Sequence, residues 1–167
     1  MADARVTHAE RAGLHVLRYF GRVDYTLAPA IERFVEPFFG GPPLEGFVFD
    51  LREAQFLDST NLGLLARICE RARQACGARS MILSGNDDID DVLHSMGFEE
   101  IFDIVRDDGA AVGTDAEKEI ERGEKPSQAD LRKTMLAAHR ALCALNERDR
   151  EQFQDVVTWL ESEAGSR

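Results

Sequence analysis

The sequence predicts an α/β domain, a sheet with helices packed against it, followed by a C-terminal helical hairpin or one bent helix. Short apolar runs alternate with amphipathic helical patterns through Val105. A polar, glycine-containing stretch then fills 107–126, and two further helical stripes follow it. The order of strands, helix, strand, helix, strand, helix, strand favours a sheet covered by helices, joined by right-handed crossovers.

Each element has its own signal. Residues 14–20, LHVLRYF, suit a strand, with Val16 and Phe20 on one face, Leu17 and Tyr19 offset, and Gly21 as its end. Leu27, Ala30, Ile31, Phe34, Val35 and Phe38 repeat at three and four, which predicts a helix over 27–38 whose last turn Pro37 weakens. Gly40-Gly41-Pro42-Pro43 breaks the chain. GFVFDL at 46–51 reads as a buried central strand. Leu62, Leu65, Ala66, Cys69, Ala72 and Cys76 then form a stripe that ends at Gly77. SMILSG at 80–85 is a second buried strand, and Asn86 caps a helix through Met96 with Asp87 and Asp88 in its first turn. Gly97 stops that helix, and 102–105 form a final strand.

Beyond it, 107–126 reads as a linker, with room for a short helical turn. Ser127 and Asp130 resemble a capping box. Leu131, Met135, Ala138, Leu142 and Leu145 make one stripe, and Phe153, Val156, Val157 and Leu160 another. The polar residues 146–150 between them predict a break near Asn146. The expected division is a domain over 1–106, a linker over 107–126 and a helical extension over 127–163. Two fates for the extension stay open: packing on its own domain, or docking and homodimerisation through Leu142, Leu145, Phe153, Val157 and Trp159.

Composition narrows the function classes. The 167 residues are 44% hydrophobic and 31% charged, enough for a core. Twenty Lys+Arg against 31 Asp+Glu give a net charge of -11 and a pI near 4.8. That field repels phosphate backbones and anionic lipid, so the expectation is no nucleic acid, no membrane surface and a basic protein partner. Cys69, Cys76 and Cys143 form no CxxC, MADARVTHAERAG has no apolar leader core, and no apolar stretch reaches ~20 residues. These features predict a cytoplasmic protein with reduced thiols. No cofactor or metal is expected. His8, His15, His94 and His139 stand isolated, the run Asp87-Asp88…Asp90-Asp91 lacks EF-hand spacing, and there is no P-loop or GxGxxG.

The chemistry concentrates in FLDSTNLGLL, at a strand-to-helix junction where unpaired N–H groups favour negative charge. Ser59 or Thr60 caps the helix, or a hydroxyl there is phosphorylated. The third reading makes Ser59 a nucleophile, without a GxSxG elbow and with no histidine in recognisable relation to it.

FLDSTNLGLL after FVFDL, with FGRVD upstream, resembles the anti-sigma factor antagonists of the STAS domain family. Their signature is an apolar strand followed by Asp-Ser-Ser/Thr-Gly-Leu-Gly opening a helix, with an earlier Gly-x-x-Asp turn. Here Asp58-Ser59-Thr60-Asn61-Leu62-Gly63 and Gly21-Arg22-Val23-Asp24 supply the two parts. SMILSGNDDIDDVLHSMGFEEIFDIV looks like the family's closing strand, helix and strand, so the resemblance spans roughly 5–106. It implies a STAS-like fold, a mixed β-sheet packed against α-helices, and a regulator rather than an enzyme. By the resemblance, the unphosphorylated form binds an anti-sigma factor that is often a serine kinase, which frees a sigma factor. The kinase phosphorylates Ser59, with Thr60 as the alternative, and a serine phosphatase reverses it. Asp24, Asp58, Ser59, Thr60, Asn61, Leu62 and Gly63 would meet the partner. A STAS scaffold in a signalling complex or transporter, without phosphoregulation, is the alternative. The sequence departs from the signature at Asn61, where the family has glycine. Asparagine is expected to keep a left-handed loop and to present its side chain to a partner.

Overall fold

The computed structural model describes residues 4–106 and 117–165, so the first half of the expected linker lies outside the described residues. Six strands form one mixed sheet: β1 (Arg5–Arg11), β2 (Leu14–Val23), β3 (Gly46–Leu57), β4 (Met81–Ser84), β5 (Asp103–Arg106) and β6 (Lys118–Glu119). Their spatial order is β5-β4-β3-β2-β1-β6. β1 runs antiparallel to β2 and β6, whereas β2, β3, β4 and β5 are parallel neighbours. The parallel pairs need crossovers, which α1 (Ala28–Val35), α2 (Ser59–Cys76) and α3 (Asp87–Ser95) supply. Two further helices follow, α4 (Gln128–Cys143) and α5 (Glu147–Gly165).

Alternation along the strands sets the core. Leu17 and Tyr19 of β2 and Phe47, Phe49 and Leu51 of β3 bury against helical residues such as Ile31, Leu65, Ile68 and Leu93. Val16, Val48 and Leu83 form a separate small cluster. Asp50 is almost fully buried, and its carboxylate is held by Arg18 and Arg52 at 2.9 and 2.8 Å. Burial pushes that carboxyl up, but the Arg52 hydrogen bonds and both guanidinium charges outweigh it and hold it below the usual range.

Several boundaries differ from the sequence reading. β1 was not among the expected strands, and β3 continues past Leu51 to Leu57 through polar residues. The first helix ends at Val35, and a 3-10 turn over Glu36–Phe39 carries Pro37. Within 117–126 the structure has the two-residue strand β6 rather than a helical turn. Asn86 caps α3 and Ser127 caps α4 by accepting from Ile89 N and Asp130 N, as the sequence predicts. The break at Asn146 is also where it was expected. Among the described residues, no helix is long and apolar enough to cross a membrane.

Hairpin α4–α5 packs on the domain and not outward. Leu142, Phe153, Val157 and Leu160 are buried within the chain, while Trp159 remains 60% exposed. A homodimer through these helices therefore loses Leu142, Phe153 and Val157 to the chain's own core.

His8 and His15 share a hydrogen bond of 2.9 Å between Nε2 and Nδ1, and the His15 and Phe38 ring centroids lie 3.9 Å apart. Burial, then the His15 charge, pulls the His8 pKa from 6.5 to about 4, against an upward pull from Glu10. The folded state therefore keeps His8 neutral where the unfolded chain takes up a proton. Its contribution is fully present above pH 6.5 and is lost as pH falls from 6.5 toward about 4. Thermal unfolding across that window should show a falling midpoint, and His8→Gln should flatten the fall; an unchanged slope in the variant contradicts the assignment.

Candidate functional site

The start of α2 is built by its flanks. Leu57 closes β3 inside the core, and Leu62, Leu64 and Leu65 bury the first turns of the helix. Between them Asp58 is extended (φ -79°, ψ 174°) and caps the helix, its Oδ1 accepting from Asn61 N at 3.0 Å. The cap is thus Asp58, not the Ser59 or Thr60 hydroxyl that the sequence suggested. A carboxylate suits this position because it also faces the positive end of the helix dipole.

Asn61 also departs from the expected loop. It lies inside α2, with no left-handed turn, and is fully buried. Its Nδ2 donates to Asp58 Oδ1 at 2.9 Å and to Val23 O at 3.3 Å. The side chain turns inward, away from any partner, and ties the end of β2 to the start of α2. Glycine could make neither bond.

The sheet brings the two motif aspartates together. Val23 and Leu57 are register partners in the parallel β2–β3 pair, so Asp24 and Asp58 leave neighbouring strands side by side. Asp24 closes its own turn by accepting from Thr26 N at 3.0 Å. Tyr25, Phe56 and Val92 are exposed large apolar residues in this part of the chain, and Arg22 stacks on the Phe56 ring at 4.5 Å. A narrow cleft of about 90 Å³ between Phe56, Leu57, Leu62, Ile89 and Val92 adds apolar surface. Exposed apolar residues with polar and charged groups at their margin have the character of a protein-binding surface.

Ser59, the first residue of α2, is half-buried. Its hydroxyl is not spent on the helix. It lies 2.9 Å from Nε2 of His139 on α4, whose Nδ1 lies 2.7 Å from the Met135 carbonyl. A carbonyl only accepts, so Nδ1 carries the proton, and in the neutral ring Nε2 accepts from Ser59 Oγ. No sequence pattern links His139 to Ser59, because 80 residues separate them. One turn on, a Cβ on Gly63 would fall 2.2 Å from the Ala138 carbonyl oxygen, so the α4 backbone lies directly on Gly63. Thr60, Leu62 and Gly63 are buried, which leaves Asp24 exposed and Asp58 and Ser59 half-buried among the predicted set.

A serine bonded to an oriented histidine has the geometry of a nucleophile and its base. Its surroundings oppose that chemistry. Asp58 already takes the Asn61 N–H, and its carboxylate would repel a developing oxyanion. Among the described residues, no three His, Cys, Asp or Glu side chains gather to hold a metal ion. The sequence's acidic run is partly neutralised, since Asp87 and Asp90 both pair with Arg106.

The STAS domain model matches residues 5–111, which cover the sheet from β1 to β5, its crossover helices and the Asp58-Ser59 junction. The chain belongs to the STAS domain family. Its fold is similar to that of the anti-sigma factor antagonist SpoIIAA in its unphosphorylated form, at 14% identity and a TM-score of 0.51, covering 62% of this chain and 87% of that one. It is similar also to a putative anti-sigma factor antagonist from Thermotoga maritima, at 19% identity and 0.51, covering 60% and 84%. An anti-sigma factor antagonist from Mycobacterium paratuberculosis aligns at 21% identity and 0.48, over 62% and 85%. No curated protein matches the chain. In this STAS protein the C-terminal hairpin α4–α5 is an addition beyond the matched residues.

Removing the cap should loosen the site measurably. Asp58→Ala is expected to lower unfolding stability by about 1 kcal/mol, and Asp58→Asn by much less, because an amide oxygen still accepts from Asn61 N. Equal losses in chemical denaturation would show that the cap hydrogen bond is not what Asp58 contributes.

Proposed function

We propose that this STAS protein is an anti-sigma factor antagonist whose unphosphorylated form binds an anti-sigma factor with serine kinase activity, and which phosphorylation of Ser59 switches off. The observation that carries the reading is the division of labour at the start of α2. Asp58 satisfies the helix, so the Ser59 hydroxyl beside it is free of any capping duty. Thr60 is 3% exposed, which favours Ser59 as the acceptor of the two. A serine phosphatase would restore the hydroxyl, and the reading assigns no catalysis to the chain itself.

The physics of the switch is electrostatic. A phosphate adds about −1.5 to −2 charges at pH 7. It would sit beside the Asp58 carboxylate, with Asp24 leaving the neighbouring strand. A partner surface suited to a hydroxyl would meet a hydrated dianion instead, and desolvating it opposes the complex. The fold need not change for binding to fail.

Affinity capture with the full chain tests this. Ser59→Ala should retain the partner, and Ser59→Asp should bind about tenfold more weakly or worse. Equal binding by both removes the switch. The contact between the hairpin and Ser59 favours a second reading, a STAS scaffold in a signalling complex or transporter without phosphoregulation. ATP-dependent phosphate on Ser59, mapped by mass spectrometry, separates the two.

A further inference from the structure

The α2 face that begins at Ser59 is already occupied. Ser59, Gly63, Ala66, Arg67 and Glu70 recur at helical spacing, and all of them meet α4 or border the cleft that α2 forms with Ala141 and Leu145. We propose that hairpin α4–α5 is an autoinhibitory cover for this face, latched to the switch residue by His139, and that it must lift before a kinase or an anti-sigma factor can engage Ser59. The proposal rests on the reading of Ser59 as the switch, and it names the regulation of that site.

Docking is specific along the body of α4 and at the turn that follows it. In the body the Ala138 backbone fits against Gly63, and His139, 3% exposed, reaches Ser59. Thr134 Oγ1 donates to Glu32 of α1 at 3.2 Å, and Arg67 of α2 holds the other oxygen of that carboxylate. In the α4–α5 turn Asn146 caps α5 by accepting from Asp149 N at 2.8 Å and donates to the Met96 carbonyl at 3.2 Å. Gly97 makes room there, since a Cβ on it would lie 2.8 Å from Asn146 Nδ2.

Docking also carries a built-in cost that favours release. Asp149 is fully buried, its Oδ1 has no hydrogen-bond partner, and burial raises its pKa. A carboxylate held so returns to water when the turn lifts. The kinase's requirements point the same way. Phosphoryl transfer needs an in-line approach to Ser59 Oγ, and that oxygen is hydrogen-bonded to an imidazole on α4.

Gly63→Ala tests the cover without touching Ser59. Alanine improves the helix intrinsically, so the STAS domain tolerates it, but its methyl group would clash with Ala138. In the full chain, amide exchange over 131–142 should accelerate at least about fivefold, the low end of what overpacking at a close contact brings. Exchange in strand 46–57 should stay unchanged. In a cell extract of the native source supplied with ATP, Ser59 should gain phosphate several-fold faster than in the parent. Leu142→Glu breaks the same docking from the hairpin side, and serves should Gly63→Ala disturb the strands as well. Unchanged exchange, or an opened hairpin with an unchanged phosphorylation rate, overturns the cover and leaves the switch standing. Absence of phosphate from Ser59 in parent and variants alike overturns the switch and the cover together.

Discussion

The Asp58 carboxylate joins three parts of the molecule, and the candidate surface around Ser59 depends on that junction. It caps α2 through Asn61 N and fixes the Asn61 amide, which in turn holds the Val23 carbonyl at the end of β2. The rotation of α2 about its axis is thereby tied to the β2–β3 register. That rotation decides which residues point where. Leu64, Leu65, Ile68 and Ala72 go to the core, whereas Ser59 and Gly63 face α4. A helix start with a looser cap would blur both faces, because each further residue inherits the error of the first turn.

The face turned toward α4 is unusually receptive because it is bare. Glycine removes the side chain at one helical turn from Ser59, and the α4 backbone fills the space. The apolar gain comes from the stripe on the hairpin: Leu142, Phe153, Val157 and Leu160 are all 9% exposed or less. Polar contacts set the register of that packing rather than its strength, since a typical hydrogen bond nets only about 1 kcal/mol. Asp149 works against it. Its pKa lies above the usual carboxylate value through burial, so its share of stability is negative at neutral pH and is relieved on acidification. His8 has the opposite sign, because its neutral form is the one the fold keeps.

The parts of this structure legible in the sequence are those governed by local chemistry. Asn86 and Ser127 announce their helices through side chains that accept three residues ahead, and the polar run at 146–150 announces the turn between α4 and α5. The parallel core strands show as apolar runs. β1 does not, because RVTHAER buries only Val6, Thr7 and Ala9 and shows polar residues elsewhere. The outer half of β3 hides for the same reason, with Arg52, Glu53 and Gln55 carrying it toward Leu57. At the site, the motif located Asp58 and Ser59 but not their division of duties. Cap choice depends on the backbone angles of one residue, and Asp58, one position earlier than expected, adopts the extended conformation. His139 was invisible because only the packing of α4 against α2 brings it to Ser59.

Asn61 shows how a departure from a motif can have a structural reason. Glycine at this position would leave the Val23 carbonyl without this donor and make the first turn of α2 more pliable. With asparagine the turn is fixed by two bonds, so the direction of the Ser59 side chain is fixed too. A rigid presentation suits a contact that must be met by one particular atom, and His139 Nε2 is that atom in the docked state. The same rigidity constrains any outside partner. A protein that reaches Ser59 along the Gly63 side of α2 needs volume that the Ala138 backbone occupies. Two objects cannot fill one space, so hairpin and partner on this side exclude each other by sterics alone. For a partner of that kind, each contact that tightens docking would raise the threshold for binding by the same free energy.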